Sequence, residues 1–165
     1  MKSIIMVRHA KSDWSNLYLP DIERTLNERG LRDAKKMGQL LLARNVKIDL
    51  IIASTAKRAA QTAMLIAKEL GLDTKQIQWS EELYHAPPSI IEQHIETIDA
   101  THNHVMIVCH NPGITHFVNS LQGHITDNIP TCGMAAFAIE MDKGWEDFHL
   151  VNKRLMFYDF PKNHL

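Results

Sequence analysis

The chain has 165 residues, 45% hydrophobic and 22% charged, an ordinary globular balance for one domain over residues 1–165 that buries about two-thirds of its surface. Lys+Arg 18 against Asp+Glu 19 give a formal net charge of -1, so no global basic field argues for nucleic acid or an anionic membrane as partner. Any attraction for an anion has to be local.

The apolar run after Lys2 ends at Val7, shorter than the roughly 7–15 residues of a signal-peptide core. No later run approaches the roughly 18 apolar residues of a membrane span. Cys109 and Cys132 have no CxxC partner and imply no disulfide framework. The expectation is a soluble, cytoplasmic protein; a monomer is compatible and the oligomeric state is open.

Ser3–Val7 is short, β-branched and bounded by polar residues, which predicts a buried strand. Residues 11–27 are polar and irregular around Pro20 and read as a loop. Thr25-Leu-Asn-Glu28 has the capping-box pattern and starts a helix that would carry Leu31, Ala34, Met37, Leu41 and Leu42 inward, ending near Asn45. Residues 49–54 predict a second apolar strand. A helix from about Lys57 to Leu70 follows, with Ala60, Ala63, Met64, Ala67 and Leu70 at helical spacing and Gly71 as its stop.

Gln76–Trp79 predicts a short strand, and 88 to about 99 a helix. His104–Cys109 is another continuous apolar strand, broken by His110-Asn-Pro-Gly113 and followed by a helix through Leu121. Residues 133–141 and 148–158 read as two final strands around an Asp-Lys-Gly turn at 142–144. Strands without alternation, separated by helices, imply a mostly parallel sheet covered on both faces, a three-layer α/β/α sandwich. Ligands of such sheets bind beyond the carboxyl ends of the strands.

Three of those strand ends carry the same kind of chemistry. The first strand runs into Arg8-His9, the second into Ser54-Thr-Ala-Lys-Arg58, and the 104–109 strand into His110. A parallel sheet brings the three ends together. Two guanidinium groups in one pocket repel each other unless an anion such as phosphate lies between them. Each residue alone has a plainer reading: a loop start, a surface helix position, a polar turn opener. Their recurrence at three strand ends is the signal.

VRHAKSDW with Arg8-His9, STAKRAAQTA with Arg58, Gln61 and Thr62, and IVCHNPG with His110 together resemble the histidine phosphatase superfamily, the phosphoglycerate mutase-like fold. Within it the chain is similar to the small SixA-type phosphohistidine phosphatases. The resemblance runs in order from residue 4 to about 115. Ala10 departs from the more familiar RHG form of the first motif.

The resemblance implies that His9 is the nucleophile and that Arg8, Arg58 and His110 hold the phosphoryl oxygens. Flanking positive charge would keep His9 neutral. Lys11 and Ser12 are further phosphate-binding candidates, with a solvated loop as the alternative. The family's proton donor is a carboxylate that follows the third strand in the chain; Glu82 best matches it, with Glu81 as its rival. No cofactor and no metal are implied.

Other chemistries fit the residues less well. A cysteine phosphatase needs Cys-x5-Arg, and the position after Cys109 that should hold arginine is Thr115. No GxxxxGK[ST] motif is present. His102, His104, His110 and His116 lie close in sequence, yet no carboxylate set joins them in a metal-ligand spacing. A non-catalytic phosphate-binding module would have no use for both His9 and His110. The mutase relatives carry a long helical insertion over the site, whereas residues 82 to 110 here leave room for one short helix, so no large helical lid is expected. An open site favours hydrolysis of a phosphorylated protein at phosphohistidine; a small phosphorylated molecule is the alternative substrate.

Overall fold

The continuous apolar runs become strands buried on both faces, as their lack of alternation requires. A computed structural model describes residues 1–165. Strands β1 (Lys2–Arg8), β2 (Leu50–Ser54), β3 (Ile77–Ser80) and β4 (His104–Cys109) run parallel, and β5 (Met134–Ile139) and β6 (Lys153–Asp159) complete the sheet antiparallel. The order is β3-β2-β4-β1-β5-β6. Strand β1 therefore sits inside the sheet, with Ser3 opposite His104 on one side and Ala138 on the other.

Helices α1 (Glu28–Ala43) and α2 (Lys57–Leu70) cover one face, where Met37, Leu41, Ala63 and Ile66 pack on Ile5, Val7, Ile51 and Met106. Helices α3 (Pro88–Glu96) and α4 (Gly113–Leu121) cover the other, together with Trp145 and Phe148. This is the three-layer α/β/α arrangement of phosphoglycerate mutase-like proteins. Only a 3-10 turn (Glu81–Leu83) and the nine residues of α3 stand as regular structure between β3 and β4, so no large helical lid covers the strand ends. No helix is long and apolar enough to cross a membrane.

Several local expectations need correction. Helix α1 is capped by Asn27, whose side chain accepts from the Gly30 N–H at 2.8 Å, and not by Thr25. Its inner face is Gly30, Ala34, Met37, Gly38 and Leu41, leaving Leu31 and Leu42 exposed. Two glycines on that face let α1 lie close to its neighbours. A Cβ at Gly30 would run into the Lys11 carbonyl oxygen, which instead accepts the Asn27 N–H at 3.0 Å.

The inner stripe of α2 is likewise rotated from the one read off the apolar residues. It comprises Arg58, Ala59, Thr62, Ala63, Ile66 and Ala67, with Met64 exposed. The rotation matters, because it turns Arg58 inward toward the strand ends. Helix α3 ends at Glu96, and residues 145–150 form a 3-10 helix with Trp145 and Phe148 buried, so β6 starts only at Lys153.

Candidate active site

Adjacent parallel strands end at the same height, and that register builds the site. Arg8 is paired with Cys109, and the His9 N–H donates to the Cys109 carbonyl at 3.1 Å. His9 and His110 thus leave neighbouring strands side by side, with ring centroids 5.1 Å apart. Strand β2 lies on the other flank of β4 and presents Ser54, and the first turn of α2 presents Arg58.

The His9 ring is buried, and its Nδ1–H donates to the Ala10 carbonyl oxygen at 2.7 Å. This fixes the tautomer: the lone pair is on Nε2, which faces the Arg58 Nε–H at 3.3 Å. Burial, opposed by the Ala10 carbonyl and reinforced by the charges of Arg58 and Arg8, lowers the His9 pKa to about 4. The ring is neutral at pH 7, as a nucleophile has to be. Ala10 costs nothing against glycine here, since its φ is not left-handed. Its N–H donates to Thr62 Oγ1 at 3.0 Å, and that hydroxyl donates on to the Arg58 carbonyl at 2.7 Å.

His110 is 2% exposed, and burial, followed by the charges of His9 and Arg58, pushes it to about 2. Its Nε2 is 2.8 Å from Ser54 Oγ, which already accepts the Ala56 N–H at 3.2 Å. The serine hydroxyl hydrogen has Nε2 within reach as an acceptor, and with the hydroxyl donating there the imidazole proton lies on Nδ1. That nitrogen is buried with no partner in the protein, as is Arg8 Nε. Two unmatched donors beside a neutral imidazole nucleophile form a setting that an oxyanion satisfies. The Arg8 Nη1–H donates to the Ile129 carbonyl at 2.8 Å, which holds the guanidinium at the strand end.

Arg58 is 5% exposed and engages Asp21 twice, Nη1 to the carbonyl at 2.8 Å and Nη2 to Oδ2 at 2.9 Å. The Tyr84 hydroxyl donates to the same Oδ2 at 2.5 Å, and His85 Nε2 stands 3.5 Å from it. Desolvation pulls the Asp21 carboxyl upward, but hydrogen bonds from Tyr84 and Arg58 outweigh it and hold the group below its ordinary range. The Tyr84 and His85 rings lie 5.5 Å and 5.7 Å from that of His110. His85 takes a left-handed backbone (φ 54), a conformation that non-glycine residues adopt under tertiary constraint.

The structure thus brings together Arg8, His9, Arg58 and His110. It does not bring in Glu82 or Glu81, which are exposed and whose carboxylates make no hydrogen bond or ion pair. Ser12 is buried but its Oγ accepts the Trp14 indole N–H at 3.0 Å. Lys11 faces a neighbouring cleft that Arg8 also lines. His102 pairs with Asp49 at 3.5 Å and His104 with Ser3 at 2.8 Å, both at the opposite end of β4 from His110. Sequence reading missed Asp21, Ser54, Tyr84 and His85. Only Ser54, lying at a strand end inside a quoted motif, had a signal that could have found it.

A family model for the histidine phosphatase superfamily (branch 1) matches residues 4–85. An uncharacterized protein of Mycobacterium leprae is 27% identical over 168 aligned residues, covering 94% of this chain and 100% of that one. A solved structure from Agrobacterium tumefaciens, assigned as the phosphohistidine phosphatase SixA, is 26% identical with a TM-score of 0.82, covering 97% of this chain and 98% of that one. A protein histidine phosphatase SixA complexed with tungstate has the same fold at 19% identity, with a TM-score of 0.81 and 98% of both chains covered. With the fold and three strand-end motifs in agreement, the chain belongs to the histidine phosphatase superfamily, and it is a phosphatase. Within the superfamily its architecture is of the SixA type, the form without a large helical lid.

Proposed function

We propose that the protein hydrolyses the phosphoryl group of phosphohistidine on a protein, through an intermediate phosphorylated on His9. The carrying observation is the His9 hydrogen bond to the Ala10 carbonyl at 2.7 Å, which leaves Nε2 as the unprotonated nitrogen of a neutral imidazole, turned toward the Arg58 Nε–H. In the first step Nε2 attacks phosphorus, and the bond from phosphorus to the substrate nitrogen breaks. Arg8, Arg58 and His110 Nδ1–H steady the equatorial oxygens. In the second step water attacks the same phosphorus, the P–Nε2 bond breaks, and inorganic phosphate leaves with His9 neutral again.

The substrate class follows from the leaving group and from access. A phosphohistidine ring already protonated near its ordinary pKa of about 6.5 leaves as neutral imidazole and needs little help from an acid. An alkyl phosphate needs a proton as its oxygen departs. The carboxylate candidate Glu82 is exposed and uncoupled from the cluster, whereas His85 lies inside it. Access supports the same reading, since a short α3 stands where a lid would enclose a small molecule.

Two measurements test this. Rapid-quench mass spectrometry is expected to place an acid-labile, base-stable phosphoryl adduct on His9, and an adduct on serine or cysteine would refute the mechanism. Turnover of a phosphohistidine protein is expected to exceed that of alkyl and sugar phosphates. The reverse ranking would make the protein a small-molecule phosphomonoesterase of the same superfamily.

A further inference from the structure

Beside the strand ends lies a second concavity, a cleft of about 630 Å³ that shares Arg8 with the site just described. Its charged lining is Arg8, Lys11, Arg29, Arg32, Lys36 and Lys162, with Asp33 as the only acidic side chain. In a chain whose formal net charge is -1, six cations around one cleft are a local concentration. A concave cationic surface focuses its field outward and raises the local concentration of anions.

The cations do not neutralise one another's surroundings from within. Arg29 reaches Asp33 at 3.8 Å, and Lys36 Nζ donates to the His164 carbonyl. The side chains of Lys11, Arg32 and Lys162 make no hydrogen bond or ion pair within the protein, which leaves their charge to the cleft and solvent. Arg29, Arg32 and Lys36 recur at i, i+3 and i+7 of α1, which puts them along one helix face over about 10 Å. Charges spread over that length suit several separated carboxylates better than one compact phosphate.

We propose that this cleft receives acidic side chains flanking the phosphohistidine of the protein substrate. The inference rests on the reading that protein phosphohistidine is the substrate. Arg8 ties the two regions together: it reaches the phosphoryl position from β1 and also lines the cleft. Carboxylates bound there would hold the substrate surface against the mouth of the site. They would act on encounter and affinity, not on the transfer step.

The test uses two phosphohistidine peptides that differ only in having glutamate or glutamine at the flanking positions, with phosphoimidazole as a small probe that cannot reach the cleft. The parent protein is expected to show about tenfold higher kcat/KM for the glutamate peptide at low salt, an advantage that fades toward physiological salt. The double variant Arg32→Gln/Lys162→Gln is expected to lose that advantage through KM, with kcat and phosphoimidazole turnover unchanged. Arg32→Lys/Lys162→Arg is expected to keep it, which separates charge from folding. Equal kcat/KM for the two peptides in the parent would overturn the proposal while leaving the substrate reading intact. A small bis-anionic phosphate ester hydrolysed faster than both peptides, and slowed in the Gln variant, would also overturn it and assign the cleft to a small substrate's second anion. Hydrolysis of p-nitrophenyl phosphate with neither peptide touched would refute the underlying substrate reading instead.

Discussion

Acid should loosen this fold in a way that reports directly on the site. His9 and His110 are 7% and 2% exposed, and burial lowers their pKa values from 6.5 to about 4 and about 2. The unfolded chain therefore binds more protons than the folded one below about pH 6.5, so stability falls as pH falls through that window. From 6.5 down to about pH 5 each histidine contributes about 2 kcal/mol of loss, taking about 1.4 kcal/mol per pH unit. Together that is about 4 kcal/mol, a large share of the 5–15 kcal/mol typical of a domain. Asp159, held down to about 2 by His164, Asn163 and Arg44 against its own desolvation, adds its effect only below about pH 4 and stays outside the window. Urea unfolding followed by circular dichroism at about pH 7 and about pH 5 gives the slope. His9→Gln and His110→Gln are each expected to remove about half of the acid sensitivity, whatever they do to stability at neutral pH. A variant with the same pH slope as the parent would refute the reasoning.

Arg58→Lys keeps a charge but loses the fork that spans His9 and Asp21, so it is expected to cost about 2–4 kcal/mol of transition-state stabilisation; near-parental kcat/KM would place Arg58 outside the chemistry. Ser54→Ala removes the hydroxyl that orients His110 and is expected to lower kcat about tenfold, the equivalent of one hydrogen bond, with a smaller change in KM. Glu82→Gln is expected to be silent on phosphohistidine and on an alkyl phosphate. His85→Gln is expected to slow only the alkyl phosphate, about 10²-fold, and an equal loss on both substrates would show that His85 orders the site instead of carrying a proton. Turnover is expected to survive exhaustive EDTA treatment, because arginines and His110 supply the positive electrostatics; loss of activity restored by zinc would refute that account.

The sheet was legible because strands buried on both faces need continuous apolar runs, and such runs are rare enough to stand out. Arg8, His9 and His110 were legible for a related reason: a charged residue that abruptly ends an apolar strand has few places to go in an α/β fold. Helix faces were harder. In α2 the exposed Met64 mimics an inner residue, while the true inner face carries Arg58 and Thr62, whose polarity is satisfied by contacts that no local pattern reveals. Asp21 was hidden for a different reason. It lies in the irregular stretch after Pro20, and only the folded chain brings its carboxylate to Arg58 and Tyr84. The strand expected from residue 148 starts only at Lys153, because Phe148, whose bulk suits a strand, fills the core together with Trp145 from a 3-10 turn.

The central position of β1 bears on how the protein comes into being. Ser3 lies 101 residues from its neighbour His104, and the Cys132 N–H that closes on the Arg8 and His9 carbonyls at 3.0 Å comes later still. During synthesis β1 waits for residues 104–109 before β4 covers one of its edges, and for residues 134–139 before β5 covers the other. Contacts this remote in sequence form slowly, and they leave a bare apolar strand exposed to association in the meantime. A nascent chain halted before residue 132 thus holds His9, Arg58, His110 and β4 but lacks β5, so one edge of β1 stays unpaired.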